Sequence, residues 1–354
     1  MKITFIIPGI GFSGGNKVIF ELANALSIRN HHVTLVYSIF PSSSTTTTFH
    51  KSSFLRLLNS VQRLKNNQLT WINLNCELLR AITFSERYIP NSDAIVATGW
   101  NTAFDVAKYS YKKGKKLYFI QGYEIWNGPK ELVEKTYSLG LGNLVTSNWL
   151  FEKIYCIAGI PPLKVPLGID LKSFYVEQNR LYNRKRVLIP YRPEPWKGTT
   201  DGLRAWQIIK QAVPDAKLIM FGNILPTYNH ACVHPDEYYL HPSISQLRKI
   251  YNSCDIFISP SHTEGFGLTL AEAMACGCAT VSTNVGAIAD LSDNGRLVPI
   301  CNPGDYQSLA RNAISLLNNE YRLQTIGTDS SRFIQKFSWD IFVSSFEKTI
   351  FNIL

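Results

Sequence analysis

Short apolar runs alternate with amphipathic stretches of helical length, and this alternation limits the folds open to the chain more than any other feature. At the amino end, Lys2–Ile7 predicts a strand, Gly15–Arg29 a helix and Val33–Tyr37 a second strand. Strands that are apolar throughout are buried on both faces, and their alternation with helices predicts parallel β/α/β units. Further strands of this kind are predicted at Ala94–Ala97, Leu117–Ile120 and Asn143–Thr146.

The alternation stops near residue 166 and then begins again. Pro161, Pro162 and Pro166 interrupt regular structure there, and Gly168 permits a turn. Beyond this point, strands are predicted at Arg186–Pro190, Lys217–Phe221, Ile256–Ser259 and Ala279–Ser282, and helices at Gly198–Gln211, Ser245–Asn252 and Leu268–Ala275. A chain of 354 residues exceeds what one hydrophobic core usually fills. We therefore predict an α/β protein of two similar domains facing a cleft, with ligands outside the carboxyl ends of the strands.

The positive charge of the chain is concentrated in its first half. Residues 1–170 carry 18 Lys and Arg against 10 Asp and Glu, a net charge of +8, whereas residues 171–354 carry +2. This imbalance favours phosphorylated or otherwise anionic partners, and no nucleic-acid partner is expected because no nucleic-acid-binding motif accompanies it. No run approaches the roughly 18 apolar residues of a membrane span, and Met1–Pro8 is too short for a signal peptide. A cytoplasmic protein is expected.

Two features interrupt the first half. Ser42–Thr48 is a low-complexity run that predicts a flexible loop. The next segment, 50–69, predicts a basic amphipathic helix, which either lies on an anionic membrane surface or packs on its own domain. The first alternative would place the protein peripherally on the inner face of the plasma membrane.

The strongest local motif is the string from Glu264 to Glu272, which follows a predicted strand and opens a helix. Gly265 and Gly267 let the backbone approach a ligand closely, and the helix start supplies unpaired N–H groups and positive potential. That combination suits a diphosphate, while the two carboxylates can accept hydrogen bonds from sugar hydroxyls.

Two cations follow the first strand of the second half. Arg192 and Lys197 lie between the strand Arg186–Pro190 and the next helix. Cations held at a strand end can clamp a diphosphate and stabilise charge on a leaving group. The alternative, an ordinary solvated loop, is less favoured because the glutamate motif accompanies these residues.

The segment Pro8–Lys17 contains G-x-G-x-x-G between a strand and a helix, which raises the possibility of dinucleotide binding. That fold requires an acidic residue at the end of the second strand to hold the ribose, and here this strand ends in Val36-Tyr37-Ser38. A nicotinamide cofactor is therefore not expected. The segment is instead interpreted as a glycine-rich loop that faces the cleft.

Together these strings resemble the retaining glycosyltransferases of the GT-B fold, glycosyltransferase family 4, over nearly the whole chain. The parts that carry the resemblance are Gly14-Gly15, Leu167–Asp170 with Phe174, Arg192 with Lys197-Gly198, the Glu264-x7-Glu272 motif, and Phe337-Ser338-Trp339 ahead of the last helix. The resemblance implies two Rossmann-like domains, 1–166 for the acceptor and 167–335 for the nucleotide sugar. It also implies that the helix of 336–354 packs back on the first domain.

The resemblance also implies roles for individual residues. Arg192, Lys197 and Glu264 would be the catalytic residues. Arg192 and Lys197 would bind the donor diphosphate and act when the glycosidic bond breaks, and Glu264 would contact the donor sugar. Glu272 would bind the ribose hydroxyls. Backbone amides of Gly265, Phe266, Gly267 and Leu268 would reach phosphate or sugar, and Gly14 and Gly15 would approach the donor from the other domain.

One departure concerns the segment after Tyr118-Phe119-Ile120. Many family members carry a histidine there, whereas this chain has Gln121, a residue that cannot act as an acid or base near neutral pH. A subset of the family carries a similar Gln-x-Tyr-Glu string. We predict that Gln121, Glu124 and Trp126 contact the acceptor, with packing of the loop as the alternative for Glu124 and Trp126.

The sequence predicts no metal site. The seven cysteines form no C-x-x-C pair and are predicted to be reduced thiols, and no D-x-D string occurs. Cationic residues and a helix start would then neutralise the diphosphate, and metal-independent activity without a cofactor is expected.

The predicted function is transfer of a sugar from a nucleotide-diphosphate sugar to a hydroxyl of a saccharide or lipid-linked acceptor, as in capsule, O-antigen or exopolysaccharide biosynthesis. The alternatives are a nucleotide-sugar epimerase or a phosphorylase on the same fold, and a non-catalytic protein that binds sugar nucleotides.

Overall fold

The computed structural model describes residues 1–11, 13–40, 64–65, 68–69, 71–126, 128–226 and 233–354. They form two compact units, Met1–Pro166 with Phe342–Leu354, and Leu167–Ile341. The low-complexity run Ser42–Thr48 and residues 50–63 of the predicted basic helix lie outside the described residues.

A seven-stranded sheet forms the centre of the first unit. Its strands and those of a small hairpin are β1 (Lys2–Ile6), β2 (His32–Ser38), β3 (Leu64–Lys65), β4 (Gln68–Leu69), β5 (Glu77–Ala81), β6 (Ala94–Ala97), β7 (Lys115–Ile120), β8 (Gly142–Val145) and β9 (Leu163–Lys164). The strand order is β5-β2-β1-β6-β7-β8-β9, with every neighbour parallel, and β3 pairs with β4 separately. The order reverses between β1 and β6, as in doubly wound folds that bind ligands at this switch point.

Helices connect and cover these strands. They are α1 (Gly14–Ile28), α2 (Trp100–Lys108), α3 (Lys130–Thr136) and α4 (Asn148–Ala158), with single 3-10 turns at Glu86–Tyr88 and Tyr111–Lys113. One core cluster joins apolar strand residues such as Ile6, Ile95, Ala97 and Ile120 to helix residues such as Val106 and Ile154. The continuous apolar runs seen in the sequence are therefore strands buried on both faces.

A six-stranded sheet forms the centre of the second unit. Its strands are β10 (Arg186–Pro190), β11 (Lys217–Gly222), β12 (Glu237–Leu240), β13 (Ile256–Ser259), β14 (Ala279–Thr283) and β15 (Ile300–Cys301). The order is β12-β11-β10-β13-β14-β15, again parallel throughout. The switch point lies between β10 and β13, so the loops that follow these two strands meet at one edge of the sheet.

The helices of this unit are α5 (Thr199–Ala212), α6 (Ile244–Ser253), α7 (Leu268–Ala275), α8 (Ile288–Leu291), α9 (Tyr306–Leu317) and α10 (Glu320–Phe333), with 3-10 turns at Pro195–Lys197 and Ile334–Phe337. Two of them, α5 and α9, share a core cluster with the strands through residues such as Trp206, Ile209 and Leu309. The predicted α/β class and the parallel sheets are confirmed.

The last helix, α11 (Trp339–Ile353), begins in the second unit and belongs to the first from Phe342 onward. Its buried stripe places Phe346 5.9 Å from the ring of Phe5 and 5.5 Å from that of Phe119, measured between centroids. Glu347 of the same helix pairs with Arg29 at 2.9 Å and with His31 at 2.7 Å. Aromatic packing, the Arg29–Glu347 ion pair and the contact of His31 with Glu347 hold the carboxyl end of the chain on the first unit.

The helix predicted over 50–69 is wrong at its carboxyl end. Leu64–Lys65 and Gln68–Leu69 pair as antiparallel strands. Residues that pair as strands cannot belong to a continuous helix, so the helix prediction fails for these four residues.

Within the described ranges, no helix combines the length and the apolar composition needed to cross a membrane. Six cysteines are described there, and all six are free thiols: Cys76, Cys156, Cys254, Cys276, Cys278 and Cys301.

Candidate functional site

The loop after β10 holds Arg192 by several contacts. Thr199, the first residue of α5, accepts a hydrogen bond from the Arg192 amide at 3.1 Å and donates one to its carbonyl at 2.7 Å. The guanidinium donates to the Tyr191 carbonyl at 3.0 Å and lies 5.4 Å from the centre of the Phe221 ring. Thr199 of α5 and Phe221 of β11 therefore hold the cation of Arg192 at the carboxyl end of β10.

Lys197 and Glu264, which are 67 residues apart in sequence, meet in this structure. The Lys197 ammonium lies 2.9 Å from Oε1 of Glu264, and the Ser261 hydroxyl donates to the same oxygen at 2.8 Å. Both side chains are partly buried, with 30% of Lys197 and 15% of Glu264 exposed. One of the two predicted cations and the first glutamate of the predicted motif thus meet at the switch point of the second sheet.

The two loops approach each other closely at Gly198. This residue has φ +64°, and a Cβ built on it would lie 2.0 Å from the carbonyl oxygen of Pro260. The His262 amide donates to the Trp196 carbonyl at 2.8 Å. Only a residue without a side chain fits between these backbones, which explains the glycine after Lys197.

Sequence reasoning did not find the pair formed by His262 and Asp201. Nε2 of His262 lies 2.6 Å from Oδ2 of Asp201, which is in the first turn of α5 and is buried. This contact ties the loop that carries Glu264 to the helix that follows Lys197. The only signal in the sequence was Asp201, an acidic residue in the first turn of a predicted helix. That signal does not identify His262 as its partner.

The backbone between Glu264 and α7 turns sharply at Gly267, which has φ +88° and precedes the helix without a side-chain cap. A Cβ on Gly286 would lie 2.4 Å from the Glu264 carbonyl, so the loop is also packed tightly from this side. The first amides of a helix have no partner within it and favour an anion. The predicted amide segment from Gly265 to Leu268 therefore stands at a helix start, as expected for phosphate binding.

Phe266 and Glu272 face different surroundings. The Phe266 ring is buried and lies 6.1 Å from that of Phe337, so this side chain packs inside the unit. Glu272, on the second turn of α7, accepts a hydrogen bond from the buried Tyr251 hydroxyl at 3.0 Å.

In the first unit, the structure places Gln121 beside the glycine-rich loop. Its side-chain amide donates to the Gly15 carbonyl at 3.3 Å, and a Cβ on Gly15 would lie 3.6 Å from the same nitrogen. Ser13 caps α1 by accepting from the Asn16 amide at 3.1 Å, and Gly14 is the first residue of that helix. Gly14, Gly15 and Gln121 therefore lie at the same edge of the first sheet.

Glu124 is turned toward the start of α2. Its Oε2 accepts a hydrogen bond from the Trp100 amide at 2.8 Å and lies 3.5 Å from the Tyr118 hydroxyl. Burial raises the pKa of Glu124 to about 7, against the opposing effect of these two hydrogen bonds. Trp126 is 39% exposed. These contacts favour the packing alternative for Glu124 and leave the Trp126 side chain accessible; the acceptor role of both residues stays a prediction.

The raised pKa of Glu124 predicts a pH-dependent stability. The folded protein holds this proton more tightly than the unfolded chain, so its stabilising effect is complete below pH 4.5 and is lost as the pH rises through 7. Between pH 5 and 7.5 the free energy of unfolding of the unmodified protein should fall by up to roughly 3 kcal/mol from this group. In Glu124→Gln, whose side chain stays neutral, that fall should be absent when the free energy is measured by urea unfolding. Glu131→Gln, at an exposed position of α3, is the control. Parallel pH profiles of Glu124→Gln and the unmodified protein would contradict the assignment.

No group of three His, Cys, Asp or Glu side chains that could hold a metal ion occurs in the part of the chain that the structure describes. Metal independence stays a prediction.

A family model described as "Glycosyl transferases group 1" matches residues 184–319, which include Arg192, Lys197, Glu264 and Glu272. Among curated proteins, the chain is similar to the capsular polysaccharide biosynthesis glycosyltransferase CapM of Staphylococcus aureus. The two are 27% identical over 215 residues, 56% of this chain and 55% of CapM. The chain spans about half or less of the length of the curated relatives it matches first.

Solved structures similar to this chain cover nearly its whole length. Sucrose-phosphate synthase from Thermosynechococcus elongatus superimposes with a TM-score of 0.73 at 15% identity, over 99% of this chain and 98% of that one. Anabaena HepE in complex with UDP-glucose superimposes with a TM-score of 0.72 at 15% identity, over 99% and 100%. The chain therefore has the fold of these proteins, and the predicted GT-B class with two Rossmann-like, parallel-sheet units is confirmed.

Proposed function

We propose that this chain, which carries a domain of the glycosyl transferases group 1 family, transfers a sugar from a nucleotide-diphosphate sugar to a hydroxyl group. The acceptor would be a saccharide or a lipid-linked saccharide, and the anomeric configuration would be retained. The single observation that carries the proposal is the meeting of Lys197 with Glu264 at the switch point of the second sheet.

The electrostatics of this site support a diphosphate ligand. Arg192 and Lys197 supply two positive charges, and the uncapped start of α7 adds backbone N–H groups with the positive end of the helix dipole. Glu264 and Glu272 supply carboxylates suited to hydroxyl groups on either side of a diphosphate. A nucleotide-diphosphate sugar combines these groups in one molecule, with the sugar at one end and the ribose at the other.

The transfer breaks the bond between the anomeric carbon and the diphosphate oxygen and forms a bond from that carbon to the acceptor oxygen. For retention without a protein nucleophile, the acceptor attacks from the face that the diphosphate leaves. The acceptor proton passes to the departing phosphate, so nucleoside diphosphate and glycoside are the products. Arg192 and Lys197 would stabilise the negative charge that grows on the leaving oxygen.

The relatives support the choice of donor and pathway. HepE was solved with UDP-glucose, and CapM is a capsular polysaccharide biosynthesis protein. We therefore propose surface-polysaccharide assembly as the setting. The net charge of +8 over residues 1–170 suits an acceptor presented at an anionic membrane surface.

The proposal is tested with a panel of nucleotide-diphosphate sugars. A donor that binds the folded protein should raise its melting temperature, and the identified donor should then glycosylate a saccharide or lipid-linked acceptor detected by mass spectrometry. Turnover should persist in excess EDTA, since cations and a helix start replace the metal. Loss of turnover in EDTA with recovery in Mg²⁺ or Mn²⁺ would contradict metal independence.

The same assay separates the alternatives. An isomerised sugar from donor alone would indicate an epimerase. Formation of a sugar phosphate from a glycoside and inorganic phosphate would indicate a phosphorylase, and donor binding without turnover on any acceptor would indicate a binding protein.

A further inference from the structure

A fully buried tyrosine connects residues at separate parts of the candidate site. Tyr251, near the carboxyl end of α6, has no exposed surface, and its hydroxyl donates to Oε2 of Glu272 at 3.0 Å. Burial, followed by the negative charge of Glu272, holds the pKa of Tyr251 well above its usual range. The hydroxyl therefore keeps its proton and acts as the donor in this hydrogen bond.

The ring of Tyr251 contacts the side chain that supports Arg192. Tyr251 packs edge to face against Phe221, with ring centroids 6.0 Å apart and an angle of 83° between the planes. The Arg192 guanidinium lies 5.4 Å from the centre of the Phe221 ring. One side chain thus contacts the carboxylate of Glu272 through its hydroxyl and the platform of Arg192 through its ring.

The main chain around Tyr251 is anchored. Arg180 donates to the carbonyl of Tyr251 at 3.0 Å, to that of Asn252 at 2.8 Å and to that of Cys254 at 2.6 Å. The side chain of Asn252 accepts from the Glu177 amide at 2.8 Å. Because several hydrogen bonds fix the backbone at the end of α6, Tyr251 has a defined position. It can therefore orient Glu272 and Phe221.

We infer that Tyr251 is a positioning residue for the nucleotide. Its hydroxyl orients Glu272 for the ribose hydroxyls, and its ring supports Phe221 under Arg192 for the diphosphate. The hydroxyl of Tyr251 bonds to Oε2 of Glu272, and a carboxylate can accept about four hydrogen bonds in all. The inference rests on the proposed function, in which Glu272 binds the ribose.

This arrangement predicts that two substitutions weaken different parts of nucleotide binding. Tyr251→Phe removes the hydroxyl and keeps the ring, so it should reduce the preference for ribose over 2′-deoxyribose at least threefold while changing pyrophosphate affinity less than twofold. Phe221→Leu removes the ring under Arg192 and keeps the hydroxyl, so it should weaken pyrophosphate binding at least threefold and leave the ribose preference unchanged. A general loss of packing would instead lower the ribose preference and the pyrophosphate affinity in both variants.

The experiment is calorimetric titration of this 354-residue chain with UDP and 2′-deoxy-UDP, with the GDP and ADP pairs, and with inorganic pyrophosphate. Tyr109→Phe is the matched control, because Tyr109 is also buried and its hydroxyl donates to the Phe84 carbonyl at 2.7 Å, in the first unit. It loses the same chemical group and should retain the ribose preference. Glu272→Gln measures the contribution of the carboxylate itself.

The outcomes distinguish the inference from the proposed function. If Glu272→Gln lowers the ribose preference and Tyr251→Phe does not, Tyr251 has no positioning role and the proposed function stands. If the unmodified protein does not prefer ribose, or Glu272→Gln leaves that preference intact, the ribose role of Glu272 is wrong and the inference falls with it. Should Tyr251→Phe not fold, unchanged pyrophosphate affinity in Phe221→Leu would still overturn the role of the ring.

Discussion

We expect Lys197→Ala to lower kcat/KM for the donor by one to two orders of magnitude. A charge-assisted contact to a phosphate contributes about 1.5–3 kcal/mol, and alanine also leaves the partly buried carboxylate of Glu264 without its ammonium partner at 2.9 Å. If Lys197 acts mainly when the glycosidic bond breaks, kcat should fall more than KM rises. Steady-state kinetics with the identified donor measure both.

Lys185→Ala is the matched control for this substitution. Lys185 also pairs with a carboxylate, Asp215 at 2.7 Å, and 32% of its side chain is exposed, close to the 30% of Lys197. It immediately precedes β10, at the opposite end of that strand from Arg192. Its removal should leave kcat/KM within about twofold, as for ordinary surface substitutions. Equal activity of the two variants would refute the assignment of Lys197 to the diphosphate.

The second large effect is expected for Gly198→Ala. The methyl group would lie 2.0 Å from the Pro260 carbonyl oxygen, a distance that real Cβ atoms do not reach, so one of the two loops must move. The left-handed conformation at φ +64° adds about 1 kcal/mol for alanine. Together these effects should lower the melting temperature by about 5 °C or more. Because the clash also displaces Lys197 from Glu264, kcat/KM of the folded protein should fall at least tenfold.

Gly304→Ala separates the clash from the backbone strain. Gly304 has φ +83°, and a Cβ built there has no neighbour within 4 Å. This variant should show only the cost of the left-handed conformation and normal activity. If Gly198→Ala melts no lower than Gly304→Ala and keeps its kcat/KM, the close approach of the two loops does not matter for the site.

Local signals determined most of the second unit. Arg186–Pro190, Ile256–Ser259 and Leu268–Ala275 begin and end in the structure at the residues predicted. The two strands are short apolar runs bounded by charged or turn-forming residues, and the helix follows a glycine that takes a positive φ. In such segments the propensity of each residue and the burial of its face favour the same conformation.

Two segments that were missed or misjudged, β5 and 50–69, lack this agreement. β5 carries Glu77 and Arg80 among apolar residues at the edge of the first sheet, and its pattern predicted no strand. The segment 50–69 has helical spacing of its apolar residues, yet its carboxyl end pairs as strands. Edge strands and short hairpins depend on their partners, which a local pattern does not contain.

Sequence alone determined the fold class and the residue types of the site, because apolar periodicity, glycines and charged residues act within a few positions of one another. Only the tertiary structure decided which of these residues meet. The strand order β11-β10-β13 brings Lys197 to Glu264 and Phe221 to Tyr251, and it brings Asp201 to His262 across 61 residues. These contacts follow from parallel pairing between strands far apart in the chain, and no local pattern specifies which strands pair.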